Sequence, residues 1–232
     1  MGRKITSPTP ALKRFRKTHN EAKLLINIQE EYAGTKKGKK HIYWKPLNQS
    51  AVVFLMAAWE AYIEDVCSWS IEYILKKRPK SNHLLSKAAD KLYDNIVGDD
   101  KKVKKNGKEK LLKIFVENNS SREIEKLLKY DIDALHNPNS TNVATLVHLC
   151  SGLRDITKSW KWRGQSYEGA VKKINKYMKA RHRIAHGRRK AIIKKEVNRT
   201  YAKDCLDFVD KLINVTDQTI VKHLAKNIKV GQ

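Results

Sequence analysis

"LNQSAVVFLMAAWEAYIEDVCSWSIEYILKKRP", residues Leu47 to Pro79, decides the fold. Apolar residues recur three and four positions apart through it, which is the helical period, and they occupy most of the circumference rather than one stripe. A helix with so little polar surface belongs at the centre of a bundle or in a subunit interface, and Pro79 marks its end. The segment therefore predicts an all-α protein, an antiparallel helical bundle assembled around this one element.

The same period recurs on either side, and few residues punctuate it: 10 glycines and 5 prolines in 232 residues. "ALKRFRKTHNEAKLLINIQEEYAG" reads as a helix capped by Gly34, and "TKKGKKHIYWKP" as a solvated basic loop. Beyond Pro79, helices are expected in "SNHLLSKAADKLYDNIVGDD", in "GKEKLLKIFVENN" and in "SSREIEKLLKYD", the last opened by Ser120 and Glu123 at capping-box spacing. In "HNPNSTNVATLVHLCSGL" a turn offers Asn139 to Asn142 as caps and Gly152 as a stop. "DITKSWKWRGQS" reads as irregular, a long helix runs from Tyr167 to His186 before Gly187, and a final one covers Asn198 to Lys226. Residues 1–45 form a helical N-terminal extension with a basic loop, and 46–232 form the main helical domain.

Forty-nine Lys and Arg against 24 Asp and Glu give a net charge of +25. An excess of that size favours a polyanion, nucleic acid or an anionic surface, without naming an activity. Cys67, Cys150 and Cys205 stand far apart with no CxxC pair, which offers neither a disulfide framework nor a four-cysteine zinc site and fits a reducing cytoplasm. No apolar run is long enough for a membrane span, and no GxxxxGK[ST], GxGxxG or GxSxG pattern occurs. A soluble cytoplasmic protein is expected.

The charge is densest around "MKARHRIAHGRRKAII", Met178 to Ile193: twelve Lys or Arg and one acid, Glu196, lie between Val171 and Arg199. A solvated face near a helix C-terminus, where cations are favoured, accounts for the lysines but not for two histidines. His182 and His186, four apart, share a helix face at about 40°, whereas Arg181 and His186 lie about 140° apart on the same helix. Two copies of the helix across a two-fold axis would bring an arginine and a histidine into one cleft. Imidazole transfers protons near neutrality, and guanidinium stays charged and fits phosphate oxygens. The pair suits metal-free transesterification of RNA, in which a base deprotonates the 2′-hydroxyl and the guanidinium stabilises the phosphorane. Arg183, Arg188, Arg189 and Lys190 are the candidates for holding the RNA. As a metal pair, His182 and His186 lack further ligands nearby, so neither a metal nor an organic cofactor is expected.

"RHRIAHG" resembles the signature of the HEPN superfamily, an arginine, a polar residue and a histidine at a helix end. Together with "FLMAAWEAYIEDV" and "NPNSTNVATLVHLCSGLRDITKSWKW", it resembles the RiboL-PSP-HEPN subgroup over roughly Pro46 to Ala225. The resemblance implies a helical bundle that dimerises through the signature helices and a metal-independent endoribonuclease leaving a 2′,3′-cyclic phosphate and a 5′-hydroxyl. It also implies a setting in prokaryotic antiviral defence or a toxin-antitoxin pair. Carried over by position, Arg181 polarises the scissile phosphate, His186 is the acid or base, and His182 orients the phosphate or shares proton transfer. Arg188 stands where some such toxins have tyrosine, so a modified-tyrosine mechanism is not implied.

Glu60 is an acid within an apolar face and needs a cation, either Arg181, His182 or an ordinary structural Lys or Arg. Trp59, Tyr62 and Trp69 read as core; Trp160 and Trp162 read as core packing or as stacking surfaces for bases. Two other functions stand beside the ribonuclease: a non-catalytic RNA-binding or scaffold module, and one half of a regulatory pair neutralised by an acidic antitoxin.

Overall fold

The computed structural model describes residues 6–33, 44–77, 91, 121–186 and 197–228. Those residues form six α-helices and no strand: α1 (Pro10–Ala33), α2 (Trp44–Lys77), α3 (Ser121–Asp133), α4 (Ser140–Ser151), α5 (Tyr167–Ala185) and α6 (Arg199–Asn227). A short 3-10 turn, Ile156–Ser159, joins α4 to α5. The helices expected in 81–100 and 107–119, and the caps at Gly34 and Gly187, lie outside the described residues.

Helix α2 packs against all five other helices. Ala51, Val52, Leu55, Met56, Trp59, Tyr62, Ile63, Val66 and Ile71 are all buried, on sides facing different neighbours. That is why its apolar residues encircle it. It begins at Trp44, three residues before the expected start, and carries Pro46 in its first turn. Proline is tolerated there because the amides of a first turn have no intrahelical acceptor to lose. Arg14 meets Asp65 and Phe15 meets Tyr62, so α1 runs antiparallel to α2. The N-terminal helix lends Ala11, Leu12, Phe15, Ala22 and Ile26 to the common core.

Local signals account for the other boundaries. Asn139 caps α4 by accepting from the amides of Thr141 and Asn142 at 3.0 Å each, and Gly152 ends it at φ 72°, a conformation that side chains disfavour. Ser166 caps α5 and Asn198 caps α6. At the start of α1, Thr9 Oγ1 accepts from the Leu12 amide at 3.2 Å and Pro10 occupies the first helical position. Thr9 is itself anchored to Asp217, a buried carboxylate of α6 that also accepts from Ser7 Oγ at 2.7 Å and from the Tyr62 hydroxyl at 3.4 Å.

The segment read as irregular contains the 3-10 turn and an isolated bridge between Trp162 and Gln165. Trp160 is fully buried, edge-on to Trp59 at 6.0 Å, and its indole N–H donates to Thr216 Oγ1 at 3.0 Å. This excludes a base-stacking role for Trp160. Trp162 is half-buried against Phe208. The Trp59 N–H donates to the Pro138 carbonyl at 2.9 Å, fixing the turn before α4 against the central helix. Both indoles thus bury a large apolar body while satisfying their one donor.

Candidate functional site

The site gathers at the C-terminal end of α5, where it passes beside the middle of α2. Arg181 lies on the side of α5 that faces α2, and its Nη2 donates to Glu60 Oε2 at 3.1 Å. The arginine side chain is 29% exposed and the glutamate 16%, so the pair is partly withdrawn from water yet reachable from solution. Burial pushes the Glu60 carboxyl up from the ordinary glutamate range, and Arg181, with a smaller contribution from His136, pulls it back. Glu64, one turn further along α2, is pushed up to about 7 by burial and by the neighbouring carboxylates of Glu60, Asp133 and Asp65.

His182 and His186 are exposed, and their rings lie 4.3 Å apart, centre to centre, tilted by 52°. The contact follows from their four-residue spacing: α5 ends at Ala185, and the His186 amide closes the last turn by donating to the His182 carbonyl at 3.1 Å. The helix C-terminus presents carbonyl oxygens, which repel an anion, so cationic side chains must supply whatever holds a phosphate here. The half-buried Arg183 stands in that last turn, and Arg181 immediately precedes the turn.

The structure brings together Glu60, Arg181, His182 and His186, but on two sides of one helix: the guanidinium is turned to α2, the imidazoles to solvent. Arg188, Arg189 and Lys190 lie outside the described residues. His136, in the loop before α4, was not picked out in sequence; only the folding of that loop beside α2 puts it near Glu60. Also missed was a cationic line further back on α5, Lys172, Lys176 and Lys179, which with Arg183 and Tyr201 borders a groove of about 420 Å³. Its spacing of four and three was visible in the sequence, but its wall on α6 was not.

No cluster of three or more His, Cys, Asp or Glu suited to a metal occurs among the described residues. None of the described helices is long and apolar enough to cross a membrane. Cys67, Cys150 and Cys205 are buried free thiols.

Among the described residues the protein is an all-helical bundle with an arginine and, five residues on, a histidine at the end of one helix, the arrangement expected of a HEPN-type domain. The family model for RiboL-PSP-HEPN matches residues 16–222, most of the chain, and the protein belongs to that family. The match begins within α1, earlier than the quoted motifs extend. No curated protein and no solved structure matches the chain.

Proposed function

We propose that the protein is a metal-independent endoribonuclease acting as a homodimer. The observation that carries this reading is the Arg181 guanidinium held by Glu60 on one side of the end of α5, with an exposed pair of touching imidazoles on another. HEPN domains are often ribonucleases, and the chemistry of these side chains fits that activity. His186 or His182 takes the 2′-hydroxyl proton, the oxygen attacks the adjacent phosphorus, and the 5′-oxygen leaves with a proton from the other imidazole or water. Arg181 neutralises the charge that develops on the phosphorane oxygens. The products are a 2′,3′-cyclic phosphate and a 5′-hydroxyl. DNA, without the 2′-oxygen, is not cut.

The divergence of Arg181 and the imidazoles within one chain supports a site completed by a second copy, each protomer giving its arginine to the other's histidines. Arg183, Arg188, Arg189 and Lys190 are assigned to the RNA backbone. A cytoplasmic setting in prokaryotic defence or a toxin-antitoxin pair belongs to the same reading, with an acidic antitoxin as the regulatory partner that a +25 chain would attract.

The test is incubation with total RNA and tRNA in excess EDTA, wild type beside Arg181→Ala and His186→Ala, with analysis of the fragment ends. Cyclic-phosphate ends that vanish in both variants support the assignment; cleavage by His186→Ala at the wild-type rate ends it. A non-catalytic RNA-binding module is the second reading, favoured by the engagement of Arg181 with Glu60 on its own chain. It predicts salt-sensitive binding of intact RNA and no cyclic-phosphate product.

A further inference from the structure

Lys172, Lys176, Lys179 and Arg183 follow one another on α5 at intervals of four, three and four, and the next step of three in that series is His186. The spacing places all five on one side of the helix, in a line about 21 Å long from the first to the last. Lys172, Lys176 and Lys179 are exposed, and the line runs beside the groove of about 420 Å³ between α5 and the start of α6. The groove is a built feature. Tyr201 of α6 forms its far wall, braced edge-on by Tyr177 at 5.2 Å, and Lys176 Nζ lies 5.4 Å from the centre of the Tyr201 ring. Asn175 closes the groove on the α4 side, its amide spent on Ser140 through bonds of 3.0 and 2.9 Å. No carboxylate lines the groove among the described residues. Glu168, one turn before Lys172, is an acid that acts on the line.

A row of like charges along one helix face is unfavourable for folding, and an extended anion lying against it relieves the repulsion. Each step along the row is about 5–6 Å, comparable to the interval between phosphates on an extended strand. Its direction is informative, because it leads to the histidine pair rather than away from it. We propose that the groove between α5 and α6 is the track for the phosphate backbone of single-stranded RNA flanking the scissile position, with Lys172, Lys176, Lys179 and Arg183 contacting successive phosphates. The proposal rests on the reading of His186 as part of an RNA-cleaving site and gives that site a polarity: substrate enters along α5 and ends at the imidazoles. A binding surface several nucleotides long further implies that long single strands are preferred over dinucleotides.

The test uses the full chain and a fluorescein-labelled 2′-O-methyl uridine dodecamer, which cannot undergo transesterification, so that binding is read whether or not the protein cleaves. The variants are Lys176→Gln/Lys179→Gln and, as a control of equal charge change, Lys211→Gln/Lys222→Gln on exposed positions of α6. The groove variant should bind at least about 10-fold more weakly at 0.1 M salt, with the slope of log affinity against log salt reduced by about 1.4, the value for two lost phosphate contacts on a single strand. The control should bind as wild type. Unchanged affinity and slope in the groove variant, or an equal loss in the control, overturns the proposal. Wild type that binds through the groove but never cuts RNA leaves the track standing and removes the ribonuclease reading; cleavage with no groove dependence does the reverse.

Discussion

Glu60 and Arg181, 121 positions apart in sequence, are joined by a 3.1 Å hydrogen bond between α2 and α5, and that bond determines which way the guanidinium of the signature points. The glutamate is itself perturbed: burial pushes its carboxyl up, and Arg181 is the larger of the two charges that pull it back. The dependence is mutual. Glu60→Ala should fold but lose the orientation of Arg181, reducing kcat for RNA cleavage by about 10-fold or more, since small misplacements of a charge-stabilising group are costly. Glu60→Gln, which retains an acceptor, should recover part of the loss. Steady-state cleavage of a defined RNA by the three proteins checks the order; Glu60→Ala at wild-type kcat contradicts it.

Glu64 predicts a pH effect whose sign follows from its surroundings. Its carboxyl is raised from 4.5 to about 7, so the folded protein binds this proton more tightly than the unfolded chain. The resulting stabilisation is fully present below about 4.5 and is lost as pH rises through about 7. Glu64→Gln should therefore raise Tm relative to wild type at pH 8, with the gain shrinking toward pH 5. The gain is modest because the side chain is only partly withdrawn from solvent. Thermal melts of both proteins from pH 5 to 8 check the sign.

Asp217 ties the start of α1 to α6 through Ser7, Thr9 and Tyr62. Asp217→Ala would strand those donors in the core and should cost about 3 kcal/mol. Chemical denaturation reads the loss, and Asp217→Asn, which keeps one acceptor, should fall between the two.

Asn139→Ala removes the cap of α4 and should cost about 1 kcal/mol. Because the Asn139 turn also presents Pro138 to Trp59, a loss confined to about this value would show that the indole bond survives. Denaturation midpoints measure it.

Legibility in the sequence divides along a physical line. The central place of α2, the Asn139 cap, the Gly152 stop and the near-exact span of α6 were readable because periodicity and capping act over a few residues. The shared face of His182 and His186 was readable for the same reason, and their rings meet on it. The anchoring of Thr9 by Asp217, the burial of Trp160 under Thr216 and the Tyr201 wall of the groove depend on which helices become neighbours, which no local pattern encodes. Glu60 is intermediate: an acid on an apolar face announces a partner, but its identity as Arg181 needed the packing of α5 on α2.

In the proposed ribonuclease, cleavage needs an arginine from one copy and a histidine from another. Arg181→Ala and His186→Ala, each inactive alone, should be unfolded and refolded together in equal amounts and assayed on RNA in EDTA. If the site is shared, half the dimers formed by random pairing are mixed and each carries one intact site, so activity should return to about a quarter of the wild-type level. A mixture as inactive as its two components would contradict the shared site.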